Sequence, residues 1–154
     1  SRRIFLARID APKRRLMNHD AVEKLLHDFG FEHVMLDGMP FAEQAAIFRE
    51  AEIIVAVHGA TLSHLIFAQP GTRVIELLPM NHLQPCFWTI GQIEKLDYSI
   101  ILGSEKPSIV SSWRLDVDAD LTIPVQTLKT EVEAAIAARD HSAKPQKIAL
   151  EPAQ

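Results

Sequence analysis

At 154 residues, with 47% hydrophobic and 23% charged side chains, the chain can form one globular domain that buries about 70% of the surface its unfolded form exposes. Its formal net charge of -4 gives no global basic field, so neither nucleic acid nor an anionic membrane is expected as a partner. The single cysteine, Cys86, excludes an internal disulfide framework and a cysteine-built zinc site, and reads as a small semi-buried apolar side chain.

No window approaches eighteen uncharged apolar residues, so no membrane-spanning segment is predicted. Ser1 begins without a signal-peptide pattern and without an initiator methionine, which predicts a processed or excised piece. The single cysteine is compatible with a reducing compartment.

Residues 2–9, RRIFLARI, form a β-favouring run. NHDAVEKLLHDFGF follows with Val22, Leu25, Leu26 and Phe29 at helical spacing, Asn18 as N-cap and Gly30 as stop. Residues 32–37, EHVMLD, read as a second strand. PFAEQAAIFREA then opens a helix at Pro40 with Phe41, Ala45 and Phe48 facing inward. EIIVAV, 52–57, is the most apolar strand, and a short helix from Thr61 to about Ala68 is ended by Pro70 and Gly71. TRVIELL predicts a fourth strand, QPCFWTIGQIEKL a helix, and YSIIL, 98–102, a fifth strand.

This βαβαβαβαβ alternation, with strands too apolar to leave one face wet, predicts a mainly parallel sheet covered by helices on both faces and linked by right-handed crossovers. Beyond Gly103 the pattern weakens. SSWRLDVDADLTIPV holds at most a short edge strand, and 125–139 reads as a helix with Leu128, Val132, Ala135 and Ile136 inward. The expected division is a domain at 1–139 and a tail or strap at 140–154, where Pro145 and Pro152 interrupt an aperiodic stretch.

The apolar run of 52–57 stops at His58, Gly59 and Ala60. Open parallel sheets bind ligands outside the carboxyl ends of their strands, where amides at helix starts meet anions. Gly59 would let the chain turn and approach a ligand, the amides of Thr61 to Ser63 would form a donor cluster, and Thr61 or Ser63 adds a hydroxyl. Phosphate is the natural guest. The plain structural alternative, a glycine turn with His58 bonded to a neighbouring carbonyl, stays open for the tetrapeptide alone.

The exit of the first strand, ARIDAPKRRLMN, places Arg8, Lys13, Arg14 and Arg15 in one loop at the same sheet edge, against the overall negative charge. Charge-assisted hydrogen bonds contribute about 1.5–3 kcal/mol, against roughly 0–1 for exposed surface pairs, so such a cluster aimed into a cleft would dominate affinity. A solvated basic loop is the alternative for Lys13 and for at least one of Arg14 and Arg15. No G-x-G-x-x-G follows the first strand and no Walker A is present, which argues against nicotinamide and P-loop enzymes. His58 and His64 are six apart, neither a helical metal pair nor a finger spacing, so no metal is expected.

These residues resemble glycosyltransferase family 61, over about Arg3 to Tyr98. The resemblance is carried by Ala7-Arg8, by RRLMN ending at Asn18, by PFAEQAAIFREA with Phe41, Glu43 and Gln44, and by HGATLSHLIFAQPGTRVIEL. Three positions depart from the family pattern and bear on donor specificity. Thr61 stands for glycine, Ser63-His64 for Thr-Asn, and His19 for an acid.

The resemblance implies a GT-B enzyme of two Rossmann-like halves, of which this chain is the carboxyl-terminal, doubly wound donor half. It implies an inverting, metal-independent glycosyltransferase of the capsular polysaccharide type, cytoplasmic or peripheral to the inner membrane of a bacterium, passing a sugar from a nucleotide-sugar to a glycan acceptor. That donor is a substrate, and no cofactor is expected. Arg8 and Arg15 would lie on the diphosphate, Asn18 would support their loop, and His58 with Gly59, Ala60, Thr61 and Ser63 would face the same phosphates. Glu76 would hold the ribose, with a surface acid paired to Arg73 or capping a helix as its alternative. Gln44 would face the cleft, while Glu43 complements its helix dipole. Arg8 and His58 would assist the leaving group, and the base for the acceptor would come from a missing amino-terminal domain, without which the piece is expected to be inactive. The competing expectation is a non-catalytic module of the same fold that binds a phosphorylated ligand or a protein partner.

Overall fold

The structure, a computed structural model, describes residues 2–7, 14–80, 84–105 and 120–142. Strands β1 (Arg2–Leu6), β2 (Glu32–His33), β3 (Ala51–Val57), β4 (Arg73–Pro79), β5 (Asp97–Glu105) and β6 (Leu121–Thr122) form one sheet in the order β2-β1-β3-β4-β5-β6. All neighbours run parallel except β5 and β6. Helices α1 (His19–Asp28), α2 (Phe41–Glu50), α3 (Cys86–Ile93) and α4 (Val125–Ser142), with a 3₁₀ segment at Ala60–Phe67, supply the connections and cover.

Two apolar layers hold the sheet. On one face Phe5, Val55, Ile75 and Leu77 pack against Val22 and Leu26 of α1 and Leu128 and Val132 of α4. On the other, Ile4, Ile54, Ala56 and Val74 pack against Phe48 of α2, Leu62 and Leu65 of the 3₁₀ segment and, at its rim, Ile90 of α3. Residues alternate between these layers along β3 and β4, as pleated strands buried on both sides must. Each fully buried Ile, Leu or Phe contributes roughly 1.5–3 kcal/mol, so the central strands anchor the domain.

Local sequence explains the ends of elements. Gly30, at φ 77°, closes α1 in a Schellman motif, with Gly30 N–H on His27 O (2.9 Å) and Phe31 N–H on Leu26 O (3.0 Å). Between β3 and β4 the expected helix is 3₁₀ because its buried residues, Leu62, Leu65 and Ala68, recur every third position. That spacing matches three residues per turn.

Several expectations need correction. The second strand is two residues long. Val34 N–H still reaches Phe5 O (2.9 Å), but Leu36 O accepts from the Gln44 side chain (3.3 Å) instead of a strand partner. Phe41 is 64% exposed rather than inward, and Ile47 and Phe48 form the buried stripe of α2. Pro40 occupies the N-cap, one position before the helix. Cys86 is exposed at the first position of α3. The expected edge strand is β6, paired antiparallel with the end of β5, and α4 runs beyond residue 139 to Ser142. No described helix is long and apolar enough to cross a membrane.

Candidate active site

The chain steps to one side of β1 to form β2 and to its other side to form β3, β4 and β5. The carboxyl ends of β1 and β3 therefore flank the topological switch point, the crevice where open α/β sheets bind ligands. Register pairs Leu6 with Ala56 at that edge, and His58 follows β3 there. Arg8 and Lys13 lie outside the described residues.

His58 is 2% exposed and is the outer member of a line of three polar side chains. Register pairs Ala56 with Glu76 and Val74 with Tyr98. His58, Glu76 and Tyr98 therefore project from the same face of adjacent strands, each two residues out of step with the next. Glu76 Oε1 accepts from His58 Nδ1, and Glu76 Oε2 accepts from Tyr98 O–H at 2.7 Å. A carboxylate only accepts, so this pairing assigns the Nδ1–H tautomer to His58 and leaves Nε2 as its other functional atom. Phe87 of α3 covers the imidazole with ring centroids 5.0 Å apart. Burial, then the Glu76 carboxylate, push the Tyr98 phenol well above its ordinary range, so it remains a donor.

Glu76 is fully buried with both oxygens engaged. Its carboxylate is thus committed to His58 and Tyr98 instead of open toward a ribose, and it is not a surface acid beside Arg73. Arg73 pairs instead with Asp97 and Glu131, each at 2.7 Å.

After His58 the backbone is extended at Gly59, φ 171° and ψ 169°, so the turn makes no use of the left-handed freedom that glycine offers. Gly59 is buried, Ala60 and Ser63 are exposed, and Thr61 is half-buried. His58 N–H bonds Leu77 O (2.9 Å), and Leu62 N–H bonds Gly59 O (3.0 Å). The expected donor cluster at Thr61 to Ser63 thus shifts toward the amides of Ala60 and Thr61, which precede the first intrahelical bond. His64 is wedged among Phe41, Phe48 and Phe67, with Nδ1 3.1 Å from Thr61 O.

The other expected contacts are committed within the protein. Arg15 places its backbone N–H (2.8 Å) and Nε (3.3 Å) on Asp120 Oδ1 and its Nη2 on Oδ2 (2.9 Å). Arg14 lies in the left-handed region at φ 55°, and its buried Nε has no hydrogen-bond partner among the described residues. Asn18 does not cap α1 with its side chain. Its Nδ2 donates to Ile123 O (2.8 Å) while its Oδ1 accepts from Ile123 N–H (3.0 Å). Gln44 donates to Leu36 O (3.3 Å) and Met39 O (2.7 Å), pinning the loop before α2, and Glu43 is exposed in the first turn of that helix.

Tyr98 and Phe87 escaped the sequence reading. Tyr98 is the only tyrosine in the chain, but nothing local says that it stands one strand away from Glu76. That relation depends on the β4–β5 register.

The profile described as Glycosyltransferase 61 matches residues 1–75, the stretch that carries β1 through β3, the His58 turn and the start of β4. A beta-1,2-xylosyltransferase of Oryza sativa subsp. japonica is 35% identical over 63 residues, 41% of this chain and 12% of that protein. A xylan glycosyltransferase of Arabidopsis thaliana is 31% identical over 71 residues, 44% of this chain and 14% of that protein. A beta-1,2-xylosyltransferase of Arabidopsis thaliana is 30% identical over 64 residues, 42% of this chain and 12% of that protein. The chain thus matches only a small part of each relative's length. None of the three is named as a capsular enzyme.

Proposed function

Because the chain belongs to glycosyltransferase family 61, we propose that it is the donor-binding region of an enzyme that transfers a sugar from a nucleotide-sugar to a glycan acceptor. In this reading the sheet is the doubly wound half of a GT-B enzyme, and the acceptor domain precedes it. The observation that carries the reading is the line Tyr98, Glu76, His58, which ends at the carboxyl edge of β3 beside the switch point.

Cleavage of the sugar-phosphate bond leaves negative charge on the nucleoside diphosphate. Tyr98 O–H holds Glu76, and Glu76 holds His58 through Nδ1–H, which aims Nε2 toward that charge, where it donates once the ring carries a proton on both nitrogens. The carboxylate also stabilises the imidazolium. Such a relay is preorganised, so little reorientation accompanies the reaction. The amides of Ala60 and Thr61, the hydroxyls of Thr61 and Ser63, and the Arg8 guanidinium complete the diphosphate site. Arg15 reaches a phosphate only by leaving Asp120, so Arg14, with its unpartnered Nε, is the better second cation. Glu76 acts by positioning His58 rather than by touching the ribose. Charge stabilisation by these groups makes transfer metal-independent, and a base from the acceptor side gives inversion.

The sealed His58, 2% exposed, favours one second reading. The same fold binds a phosphorylated ligand without transfer, and the relay only braces the His58 turn. Calorimetric titration with a panel of nucleoside diphosphates and nucleotide-sugars tests both, with a xylose nucleotide first because the relatives are named xylosyltransferases. Micromolar binding that collapses in Arg8→Ala and His58→Ala supports the donor site. Binding that survives His58→Ala supports the brace, and silence across the panel from folded protein overturns both.

A further inference from the structure

A second set of ligand-type side chains gathers on the face of the sheet opposite His58, around Phe5. His19 opens α1, Glu23 follows one turn later, and His33 ends β2. His19 Nε2 lies 3.2 Å from Glu23 Oε2, and His33 Nδ1 lies 2.7 Å from Glu23 Oε1. One donor atom from each of the three residues lies within 4.8 Å of the other two.

The geometry points to a divalent transition-metal site formed by His19, Glu23 and His33, with zinc as its best-fitting ion. Two imidazole nitrogens and one carboxylate oxygen are a recurrent zinc donor set that leaves a coordination position for water. With bonds of about 2.0–2.1 Å, tetrahedral ligand atoms stand roughly 3.4 Å apart. The 3.2 Å contact of His19 reaches that spacing by opening about 0.2 Å, and the 2.7 Å contact of His33 by opening about 0.7 Å. Both ring nitrogens already converge on one carboxylate, and a cation replaces the two hydrogen-bonding protons as each ring shifts to its other tautomer.

The scaffold suits a preformed site. His19 and Glu23 share one helical face, and His33 is fixed by the pairing of β2 with Phe5 of β1. The Phe5 ring lies 6.0 Å from that of His19 and 5.5 Å from that of His33, which restrains both imidazoles. Side-chain exposures of 19%, 41% and 21% for His19, Glu23 and His33 leave an entry path and room for water. Among the described residues His33 Nε2 is buried without an acceptor, so no outer partner there strengthens that ligand, and affinity is expected to be micromolar rather than nanomolar. Imidazole ligands also favour zinc or cobalt over magnesium. Bound metal would clip the first turn of α1 to β2 and so fix the base of the loop that carries Arg14 and Arg15.

Chelator-stripped protein is titrated with Zn²⁺, Co²⁺ and Mg²⁺ by calorimetry, with the visible d–d absorption of Co²⁺ and the thermal midpoint as further readouts. One equivalent of Zn²⁺ or Co²⁺ should bind, produce a low-symmetry Co²⁺ spectrum and raise the midpoint, while Mg²⁺ does neither. Glu23→Gln, His33→Asn and His19→Asn should each weaken binding about tenfold or more, since removing an outer-shell partner alone costs 10–100-fold. Glu23→Gln, isosteric and at the most exposed of the three positions, is the variant least open to folding defects. No stoichiometric binding by folded wild-type protein, a preference for Mg²⁺, or undiminished Zn²⁺ binding in folded His19→Asn and Glu23→Gln would overturn the site.

Discussion

His58 and Glu76 meet through Nδ1 and Oε1 across the ends of two adjacent parallel strands, with side-chain exposures of 3% and 0%. Burial on this scale makes the contact costly to break, because either group replaced leaves a desolvated polar atom of the other without this partner. The same contact fixes which ring nitrogen can serve a ligand.

Replacing Glu76 by Gln keeps the volume and removes the obligate acceptor. The amide NH₂ then favours the opposite imidazole tautomer, and imidazolium stabilisation is lost. Transfer by the full-length enzyme should fall about 10²- to 10⁴-fold in kcat, the usual share of positioned acid–base groups, with KM for the donor changed much less. Steady-state kinetics with circular dichroism as the folding control check this. A Glu76→Gln enzyme with unchanged kcat removes the relay from the mechanism.

Tyr98 offers a pH test that needs no substrate. It is the only tyrosine, so ultraviolet titration of phenolate reports on it alone. Its folded-state pKa is raised above the 10.0 of an unperturbed phenol, chiefly by burial and then by Glu76. The folded state therefore holds the proton more tightly than the unfolded state. The resulting stability is fully present below about pH 10 and is lost as pH rises beyond it, while the unfolded phenol ionises. Phenolate should appear only together with loss of folded circular dichroism. Smooth ionisation near pH 10 in protein that remains folded would place Tyr98 in solvent.

The contrast between legible and hidden features follows from what each depends on. Period and punctuation expose the order of strands and helices, the stop at Gly30 and the inward residues Leu128 and Val132, because these are local properties. The His58 turn was visible as a break in an apolar run. Its partners were not, since the His58–Glu76–Tyr98 line needs the register of three strands, and Arg15–Asp120 and Asn18–Ile123 each join residues 105 apart. The 3₁₀ geometry of Ala60–Phe67 was encoded in the three-residue recurrence of Leu62, Leu65 and Ala68, but that pattern is too short to distinguish from an α-helical face. The His19, Glu23 and His33 set was missed for a similar reason, as its third ligand comes from a different element.

Gly91 should show a reversed glycine effect. In the middle of a helix, Gly→Ala ordinarily stabilises by about 1 kcal/mol. A Cβ on Gly91 of α3 would come within 2.5 Å of Tyr98 Cδ2, near the root of a ring that cannot easily swing aside. Gly91→Ala should therefore destabilise by about 1–3 kcal/mol, the usual range for overpacking, and loosen the Tyr98 bond to Glu76. Urea unfolding measures the first effect and an earlier Tyr98 titration the second. A stabilised Gly91→Ala would mean that α3 shifts freely relative to β5.

Asn18 closes a bracket around the backbone of Ile123, with Nδ2 on its carbonyl oxygen at 2.8 Å and Oδ1 on its N–H at 3.0 Å. Beside it, Met17 N–H bonds Leu121 O (2.8 Å) and Leu121 N–H bonds Arg15 O (2.9 Å), so the segment before α1 is laced to the strand that leads into α4. Asn18→Ala removes both side-chain bonds and leaves the backbone groups of Ile123, a buried residue, without that partner. A loss of about 1–3 kcal/mol is expected. Because the bracket lies next to Arg14 and Arg15, hydrogen exchange should quicken first at the Ile123 and Met17 amides and leave β3 and β4 protected. Asn18→Asp discriminates further, since it retains an acceptor for Ile123 N–H but presents a carboxylate to the carbonyl oxygen. It should destabilise at neutral pH and recover part of the loss as acid protonates the new side chain. Uniform exchange across the sheet in Asn18→Ala would instead make the bracket part of the global core.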